Sequence, residues 1–416
     1  MRTLLRYLLI LYIGLYPALS QAQDTAITLS DLEQEALTNN PEINMAAKKA
    51  EAAEERKSLA SAMPDPMVGV MIQNVGALGT STVGKEEMSM QGVVITQEIP
   101  FPGKLSTKGR AAAKMAGREL ENSRETKLRV LNSLRTAYYE YYLAYRSAEL
   151  LNETKDLMKN FQRIAETRYA TGQGMQQDVI RAQLEVSMLL DKIAEEDRKK
   201  ESQAALLNSL AGRNPLMPLG KPAEPPRRAV NKSVEEMAAQ AQAYSPMLKG
   251  KQQMVEQSEA ELSMSRREYL PDMVLSAGMF TRGDYKDVWQ ASLMFKVPLY
   301  FWNKSTGVKA ANADLHAARY EYEAEKLAIL ARMRELSAMV NTAEHHLHLY
   351  ESGIIPQARM ALQSTSSNYQ VGKTDFMSLL EAENTLLKYQ LMEQEELVNL
   401  SKAQSMLGEI MGEEYE

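Results

Sequence analysis

The chain has 416 residues, of which 54 are acidic and 48 are basic, giving a formal net charge of -6, and it contains no cysteine. An acidic chain without a basic stripe argues against nucleic acid as a partner, because nothing would displace the counterions around the phosphates. Without cysteine we expect no disulfide, no thiolate metal site and no lipidated N-terminal cysteine.

Residues 1–22 have the pattern of a secretory signal peptide. Two arginines precede a short apolar core, Leu8–Leu15, and small side chains precede an expected cut near Ala22. This core is too short to span a membrane, and no other stretch is apolar over the ~20 residues that a membrane helix needs. We therefore expect an exported protein, and a membrane location would have to use strands.

The first predicted element after this leader is helical, from Leu29 to Ala62. Ser30 followed by Glu33 has the spacing of a capping box, which predicts the helix start at this point. Pro41 fits the first turn of a restarted helix, where the missing N–H would have no partner in any case.

Two predicted strands follow, at 67–75 and 88–99, with a turn-rich stretch between them. In the first strand, Val68, Val70 and Ile72 alternate onto one side. Prolines lie before the first strand, where they end the preceding helix, and after the second strand, where they end the strand pairing. The pattern predicts a β-hairpin.

A second hairpin is predicted from strands at 273–281 and 289–297. In the latter strand Trp289, Leu293 and Phe295 alternate with polar residues, which indicates a two-faced strand. Such a face would pack into a core in a soluble sandwich, or contact lipid in an outer-membrane barrel with a wet lumen. Four strands can neither close a barrel nor bury a sandwich core alone, so we expect closure from other copies of the chain.

Long helices are predicted after each hairpin, from Gly103 to about Tyr169 and from 303 to 369, with a kink or short break expected in the second. Gly172 and Gly372 are predicted to form the tips of two helical hairpins, because glycine supplies the backbone freedom of a tight reversal. The returning helices carry apolar seams spaced 3,4,3,4, as in helices that pack along their length. These seams are Val179, Ala182, Val186, Leu189 and Ile193, and Leu379, Ala382, Leu386 and Tyr389.

The two halves are related by an internal duplication. Tyr169 and Tyr369 are matched at an offset of 200, as are the two tip glycines, and Pro41 and Pro246 are matched at an offset of 205. We divide the chain into repeats 23–212 and 231–416, joined by a Pro-rich connector at 213–230 that is predicted to be extended.

This ordered duplication, with Y-x-x-G tips followed by a helical Leu/Ala seam, resembles the TolC family of outer-membrane efflux ducts over the whole mature chain. The resemblance implies an α+β membrane protein: a homotrimer whose twelve strands, four per chain, close one outer-membrane β-barrel continued by a periplasmic α-helical barrel. It also implies docking of the tips to a periplasmic adaptor and an inner-membrane pump. The segment Gln97–Leu105, the MPDP sequence at 63–66 and the methionine-rich strands resemble the heavy-metal efflux branch of the family.

The resemblance also implies positions for a gate on the helix that returns from the second tip. The two carboxylates of family members fall on Ser378 and Glu381, so one is replaced here, and an apolar constriction falls near Met377. The comparable acid of the first repeat is Asp178. The adaptor-contact tips would be formed by Tyr169, Gly172, Gly174, Tyr369, Gly372 and Thr374.

Two sets of side chains have the chemistry of metal ligands. His345 and His348 lie three apart on a predicted helix, which suits either a metal site or a solvated patch, and the patch is favoured because no closed-site motif accompanies them. The methionines of the first hairpin are either soft ligands for Cu(I) or Ag(I) or flexible apolar filler. These methionines are Met67, Met71, Met88 and Met90, with Met63 beside them.

The sequence contains no catalytic motif or cofactor fingerprint, so it predicts neither an enzyme nor a bound cofactor. The function predicted is that of a channel passively conducting substrate, with copper or silver ions among the candidates, from an inner-membrane pump and adaptor across the outer membrane. The alternatives are a soluble periplasmic coiled-coil scaffold or adaptor, and an export duct for organic compounds or polypeptides. Five tyrosines between 138 and 145 are expected to pack between helices and not to bind a ligand.

Overall fold

The computed structural model describes residues 26–74, 76, 81–227 and 232–413. The predicted signal peptide and the end of the connector lie outside these residues. The first repeat contains α1 Leu29–Asn39, α2 Pro41–Ser61, β1 Met67–Gln73, β2 Met90–Ile99, α3 Lys104–Ala170 and α4 Gln176–Leu210. The second contains α5 Val234–Tyr244, α6 Pro246–Arg267, β3 Asp272–Arg282, β4 Tyr285–Lys296, α7 Phe301–Leu349, α8 Ile355–Gln370 and α9 Phe376–Met411.

The start of α1 differs from the prediction. Its N-cap is Thr28, whose hydroxyl accepts a hydrogen bond from the N–H of Asp31 at 3.3 Å, so Ser30 lies inside the helix and the predicted capping box with Glu33 was wrong. The true capping box is in the second repeat, where Ser233 and Glu236 bond each other's backbone N–H groups at the start of α5. Two hydroxyl residues, Thr28 and Ser30, lie close together at the start of α1, and sequence spacing alone selected the wrong one.

The four strands form one antiparallel sheet in the order β1-β2-β3-β4. β3 and β4 are longer than predicted, because a tight turn at Gly283, whose φ is 69°, lets the pairing continue to Arg282 and Tyr285. β1 and β4 each pair on one side only, so they form the two edges of the sheet.

The pairing register sorts the side chains onto two faces. One of them, here called the apolar face, contains the cross-strand row Val70, Val93, Met279 and Trp289 and the row Val68, Ile95, Ala277 and Ala291. The opposite face, here called the mixed face, contains Met67, Thr96, Ser276 and Ser292 in one row and Gly69, Val94, Gly278 and Gln290 in the next. On the apolar face, Val70 is 78% exposed and Trp289 76% exposed, so in a single chain no element covers it.

The two long helical arms have similar lengths but differ in continuity. α3 is unbroken over 67 residues, about 100 Å at ~1.5 Å per residue. Its counterpart is divided into α7 and α8 by a π-helical turn at Tyr350–Ile354, which ends two residues before Pro356. The kink or break predicted in this helix is therefore a widened π-helical turn. It accommodates Pro356, which has no backbone N–H to donate to a carbonyl of the preceding turn. Within the described residues, no helix is apolar over a length sufficient to cross a bilayer.

The connector, predicted to be extended throughout, begins with a turn at 214–217 and is extended along α3 from 218 to 227. Its Pro222 forms a parallel bridge with Ile27, and the hydroxyl of Tyr138 shares its proton between the carbonyls of Ile27 at 2.9 Å and Ala223 at 2.8 Å. Burial raises the pKa of Tyr138 to about 12, which keeps the phenol protonated as a donor. The tyrosines near the middle of α3 therefore pack against the connector and the neighbouring helices.

The described side chains form two core clusters. The larger one joins α1, α3, α5, α7 and α9 around Leu134 and Met333. The smaller one, here called the tip cluster, lies between the glycine tips and the middle of the arms. It consists of Leu150, Leu151, Met158, Phe161, Ala182, Leu189, Leu362, Tyr369, Phe376, Leu379 and Leu387.

Gly92 provides a test of the sheet. A Cβ added there would lie 2.0 Å from the carbonyl oxygen of Met279, whereas one added at Gly69 on the same face would meet nothing within 4 Å. We expect Gly92→Ala to force β2 and β3 apart at a cost of about 1–3 kcal/mol, and Gly69→Ala to fold normally. The yield of protease-resistant folded protein measures this difference, and equal yields would contradict the β2–β3 register.

Candidate functional site

The two helical tips have the same backbone geometry. Gly172 and Gly372 have φ of 73° and 78°, and each follows a helix closed by a Schellman motif. In the first tip Gln173 N–H donates to the Arg168 carbonyl at 2.8 Å, and in the second Lys373 N–H donates to the Asn368 carbonyl at 2.9 Å. The predicted role of both glycines as turn residues follows from this left-handed conformation.

Arg168 connects the two tips. Its guanidinium donates to the carbonyl of Tyr369, donates to the carbonyl of Gln173 at 3.1 Å and lies 4.8 Å from the centre of the Tyr369 ring. A Cβ added to Gly372 would come within 3.2 Å of the same guanidinium. The tips of the two repeats are therefore held together within one chain by a single cationic side chain, which sequence reasoning did not identify.

The two tip tyrosines have different environments. Tyr169 is half exposed, whereas Tyr369 is 2% exposed and packs 5.6 Å from Phe376. Burial, with a smaller contribution from the negative charge of Asp178, raises the pKa of Tyr369, and its hydroxyl has no hydrogen-bond partner in the described chain. Of the other predicted tip residues, Gly174 and Thr374 are half-buried.

The predicted gate residues of α9 lie together on one exposed face. Met377 and Ser378 lie four and three residues before Glu381, the spacings that put each of them next to Glu381 on a helix, and all three are exposed. Asp375 is the N-cap of α9, and its carboxylate accepts from the N–H of Ser378 at 2.8 Å. Asp178 is half-buried on α4 and faces Tyr369. The three α9 residues are thus exposed together, whereas Asp178 is half-buried beside Tyr369.

A pair of buried carboxylates lies in the tip cluster, and sequence analysis missed it. Glu185 of α4 is 5% exposed and Glu383 of α9 is 2% exposed. Burial, followed by repulsion from Glu185, raises the pKa of Glu383 to about 7, against the smaller effects of the Thr154 hydroxyl and the positive charge of Lys192. One oxygen of Glu383 is buried without a partner.

The candidate metal ligands are dispersed in the chain. His345 and His348 are exposed on α7, and the neighbouring His346 contacts Glu396 at 3.0 Å. Among the residues that the structure describes, no three His, Asp or Glu side chains come together as a metal site. Met67, Met71 and Met90 lie on the mixed face of the sheet, and Met88 is exposed in the loop before β2.

Comparisons with known proteins agree with this arrangement. A family model described as "Outer membrane efflux protein" matches residues 32–213 and 237–413, one segment on each side of the connector. The "Probable outer membrane lipoprotein SilC" of Salmonella typhimurium is 21% identical over 405 residues, covering 91% of this chain and 85% of that protein. The "Cobalt-zinc-cadmium resistance protein CzcC" of Cupriavidus metallidurans is 19% identical over 374 residues, covering 87% and 84%. The solved structure of CusC superposes with a TM-score of 0.79 at 16% identity, covering 92% of this chain and 91% of that one.

The carboxylate pair predicts a pH-dependent stability of the helices at the tip end. The pKa of Glu383 rises from 4.5 to about 7 on folding, so the native state binds this proton more tightly than the unfolded state. The contribution of this carboxyl to stability is therefore greatest below pH 4.5 and falls as pH rises to about 7, by up to roughly 3 kcal/mol. Glu383→Gln keeps the shape of the side chain and removes this loss.

Thermal loss of helical circular dichroism, recorded from pH 5 to pH 8, measures this effect. We expect Glu383→Gln to melt at a higher temperature than the original protein at pH 8, with the difference shrinking towards pH 5. Glu381→Gln, on the exposed side of the same helix, serves as the matched control and should not show this trend. A Glu383→Gln curve parallel to the original at every pH would contradict the buried pair.

Proposed function

We propose an assembly, a gate and a cargo for this chain, which belongs to the outer membrane efflux protein family and has the TolC-like outer-membrane channel fold. Members of this family are transport channels and not enzymes. The proposal is that three copies form one duct for heavy-metal ions, which an inner-membrane pump and a periplasmic adaptor deliver to it.

The sheet is the observation that carries this proposal. Its apolar face is exposed and its edges, β1 and β4, each have one unpaired side. A strand edge in hydrocarbon would leave its N–H and C=O groups without partners, and closure of the sheet on itself removes that cost. Each strand is 7 to 12 residues long, about the length of a tilted membrane strand. Pairing of β4 in one copy with β1 in the next would supply hydrogen-bond partners to both edges. The closed sheet would then turn its apolar face outward to lipid.

The same observation disfavours a soluble periplasmic scaffold. Trp289, Leu293 and Phe295 lie on one face of β4, and each is more than half exposed. In a soluble scaffold these large apolar side chains would remain in contact with water, which is unfavourable. Exposed apolar patches of this kind mark a membrane or protein contact. Lipid contact with the apolar face uses these side chains without requiring a further partner.

The tips are proposed as the adaptor-contact surface and as the end of the duct that closes. Gly172, Gly372 and the exposed Tyr169 lie at the far end of the arms from the sheet. On α9, Met377 and Glu381 share an exposed face close behind the second tip, which is where three symmetry-related copies of α9 would present them to one pore. A ring of three Glu381 carboxylates would select cations, with Met377 as an apolar constriction beside it.

The cargo is proposed from the relatives. CzcC carries cobalt, zinc and cadmium resistance in its name, and it aligns with 87% of this chain. A duct for organic compounds is the competing assignment, because in such systems the pump selects the cargo. Sensitivity of a deletion strain to metal salts and to organic toxins, side by side, distinguishes the two.

The assembly predicts a specific biochemical behaviour. The protein should remain in the outer-membrane fraction after a high-salt wash, because it is held by the apolar face and not by charge. In mild detergent it should migrate as a trimer that converts to monomer only on heating. Release by salt as a monomer would contradict both the membrane location and the shared sheet.

The gate predicts a change in conduction without a change in assembly. Glu381→Ala should reduce cation selectivity and weaken the block by divalent cations in planar bilayers, because the variant lacks the carboxylate ring. Glu395→Ala, an exposed acid farther along α9, serves as the control and should conduct normally. Unaltered selectivity in Glu381→Ala, with normal trimer yield, would place the gate elsewhere.

A further inference from the structure

Two buried carboxylates lie where the two repeats pack against each other near the tips. Glu185 is on α4 of the first repeat and Glu383 is on α9 of the second, and both are almost fully buried. At the offset of 200 that relates the tips, Thr385 matches Glu185 and Gln183 matches Glu383. Neither repeat therefore contains the pair on its own, and the pair forms only because α4 and α9 come together in the folded chain.

The surroundings of Glu383 compensate a negative charge only weakly. α4 and α9 both pack against α3, which contributes the hydroxyl of Thr154. The charges that act on Glu383 are those of Glu185 and Lys192, both on α4, and Lys192 is exposed to solvent. One carboxylate oxygen of Glu383 has no hydrogen-bond partner among the described residues. An ionised carboxylate is costly at such a position, and a second one beside it increases the cost.

The remaining members of the tip cluster are aliphatic or aromatic side chains. α8 contributes the one phenol among them, Tyr369, and the charges that act on this phenol are those of Asp178 and Arg168, both near the tips. The titration of Glu383 is therefore governed by its burial and by the two charged side chains of α4.

Glu383 belongs to the helix that carries the proposed gate. Glu381 and Glu383 are two residues apart, about 200° around the helix axis, so Glu381 is exposed while Glu383 is buried. Leu379 and Leu387 extend the buried row of α9 on both sides of Glu383. The contacts that hold this row in the tip cluster therefore also hold the exposed gate residues in position.

We propose that Glu185 and Glu383 form a proton-sensitive switch of the gate. When the pair holds a proton, the buried row of α9 stays packed in the tip cluster and the gate is closed. When both carboxylates are charged, they repel each other and attract water, so this part of α9 separates from α4 and the gate opens. The switch rests on the proposed duct and gate, and it adds a regulation of that gate by pH.

The direction of the response follows from the two states of Glu383. In the packed state, burial and then repulsion from Glu185 raise its pKa to about 7, whereas a hydrated carboxyl after separation returns towards 4.5. The proton therefore stabilises the packed state, and this stabilisation is complete below pH 4.5 and is lost as pH rises to about 7. The ratio of closed to open channels falls by at most about tenfold per pH unit over this range and is constant above it.

Single-channel recording in planar bilayers between pH 5 and pH 7.5 tests the switch. We expect the open probability of the original protein to rise roughly tenfold or more over this range. Glu383→Gln keeps the shape of the side chain but cannot ionise, so this variant should stay closed at every pH. In Glu185→Gln the repulsion is absent, so the rise should be smaller and should level off at a lower pH.

The matched control is Glu395→Gln, which removes an exposed carboxylate farther along the same helix and should respond to pH like the original protein. Glu381 is present in all of these proteins, so its own titration does not distinguish them. Trimer yield in detergent is compared first, so that only assembled channels are recorded.

A labelling experiment measures the packing of the tip cluster directly. The chain has no cysteine, and Ala182 is fully buried in this cluster. Ala182→Cys therefore places a single thiol where a maleimide reagent reaches it only when the cluster opens. At pH 7.5 we expect labelling to be several-fold faster with Glu383 than in the Glu383→Gln background, and unchanged in the Glu395→Gln background. All three are compared at one pH, so the reactivity of the thiol itself is the same.

Three results would overturn the switch: an open probability of the original protein that is constant between pH 5 and pH 7.5, a Glu383→Gln channel that follows the pH response of the original, or equal labelling of Ala182→Cys in the Glu383 and Glu383→Gln backgrounds. Each of these results leaves the duct standing, because the protein still assembles and conducts. An assembled original protein that forms no channel in bilayers would instead refute the proposed function.

Discussion

The structure depends on one constraint, which is that the sheet has two unpaired edges beside an exposed apolar face. Backbone groups in hydrocarbon need partners, and an isolated four-stranded sheet cannot provide them at β1 and β4. The feet of the sheet continue into helices, and Lys104 at the start of α3 binds Asp272 at the start of β3 at 2.8 Å. The two hairpins are therefore fixed to each other and to the arms before any second copy is added.

The long helices extend from the sheet to the two glycine tips, which form the opposite end of the chain's fold. The chain reverses at the same Schellman tip in both repeats, yet the two tips differ where they meet, because Arg168 reaches from the first tip to the carbonyl and the ring of Tyr369 in the second. Behind this contact, Glu185 and Glu383 are buried in an otherwise apolar cluster. Buried charge is costly. The tip end is thus held by the contacts of Arg168 and by the apolar tip cluster, and it also carries an unfavourable ionisation, whereas the middle of the arms is held by apolar packing around Leu134 and Met333.

Much of this architecture could be predicted from the sequence, because it rests on periodic signals. The duplication, the tip glycines and the alternation of β4 each involve many residues in a fixed pattern, so tertiary contacts did not override these signals.

The start of α1 depended on choosing between Thr28 and Ser30, which spacing alone did not decide. The predicted seams of the returning helices do pack into the tip cluster, with Ala182, Leu189 and Leu379 buried, but the prediction missed a carboxylate in each of them. The most deeply buried rows are Ala182, Glu185 and Leu189, and Leu379, Glu383 and Leu387. A carboxylate in the middle of each row could have been noticed, but patterning assigns acids to the exposed face by default. The contact made by Arg168 joins residues 201 positions apart and left no sequence signal.

The central claim is that β4 of one copy pairs with β1 of another, and disulfide mapping in this cysteine-free chain tests it most directly. Val70→Cys and Ala291→Cys lie on opposite edges of the sheet, about 14 Å apart across three strand spacings in one chain, too far for a disulfide. Single-cysteine variants of β1 and of β4, placed at a panel of positions along the two strands, are co-expressed, oxidised in the membrane, and separated on a non-reducing gel after heating. The account predicts a covalent dimer containing one chain of each variant for at least one pair in the panel. No mixed dimer at any pair, with both variants folded in the outer membrane, would contradict it.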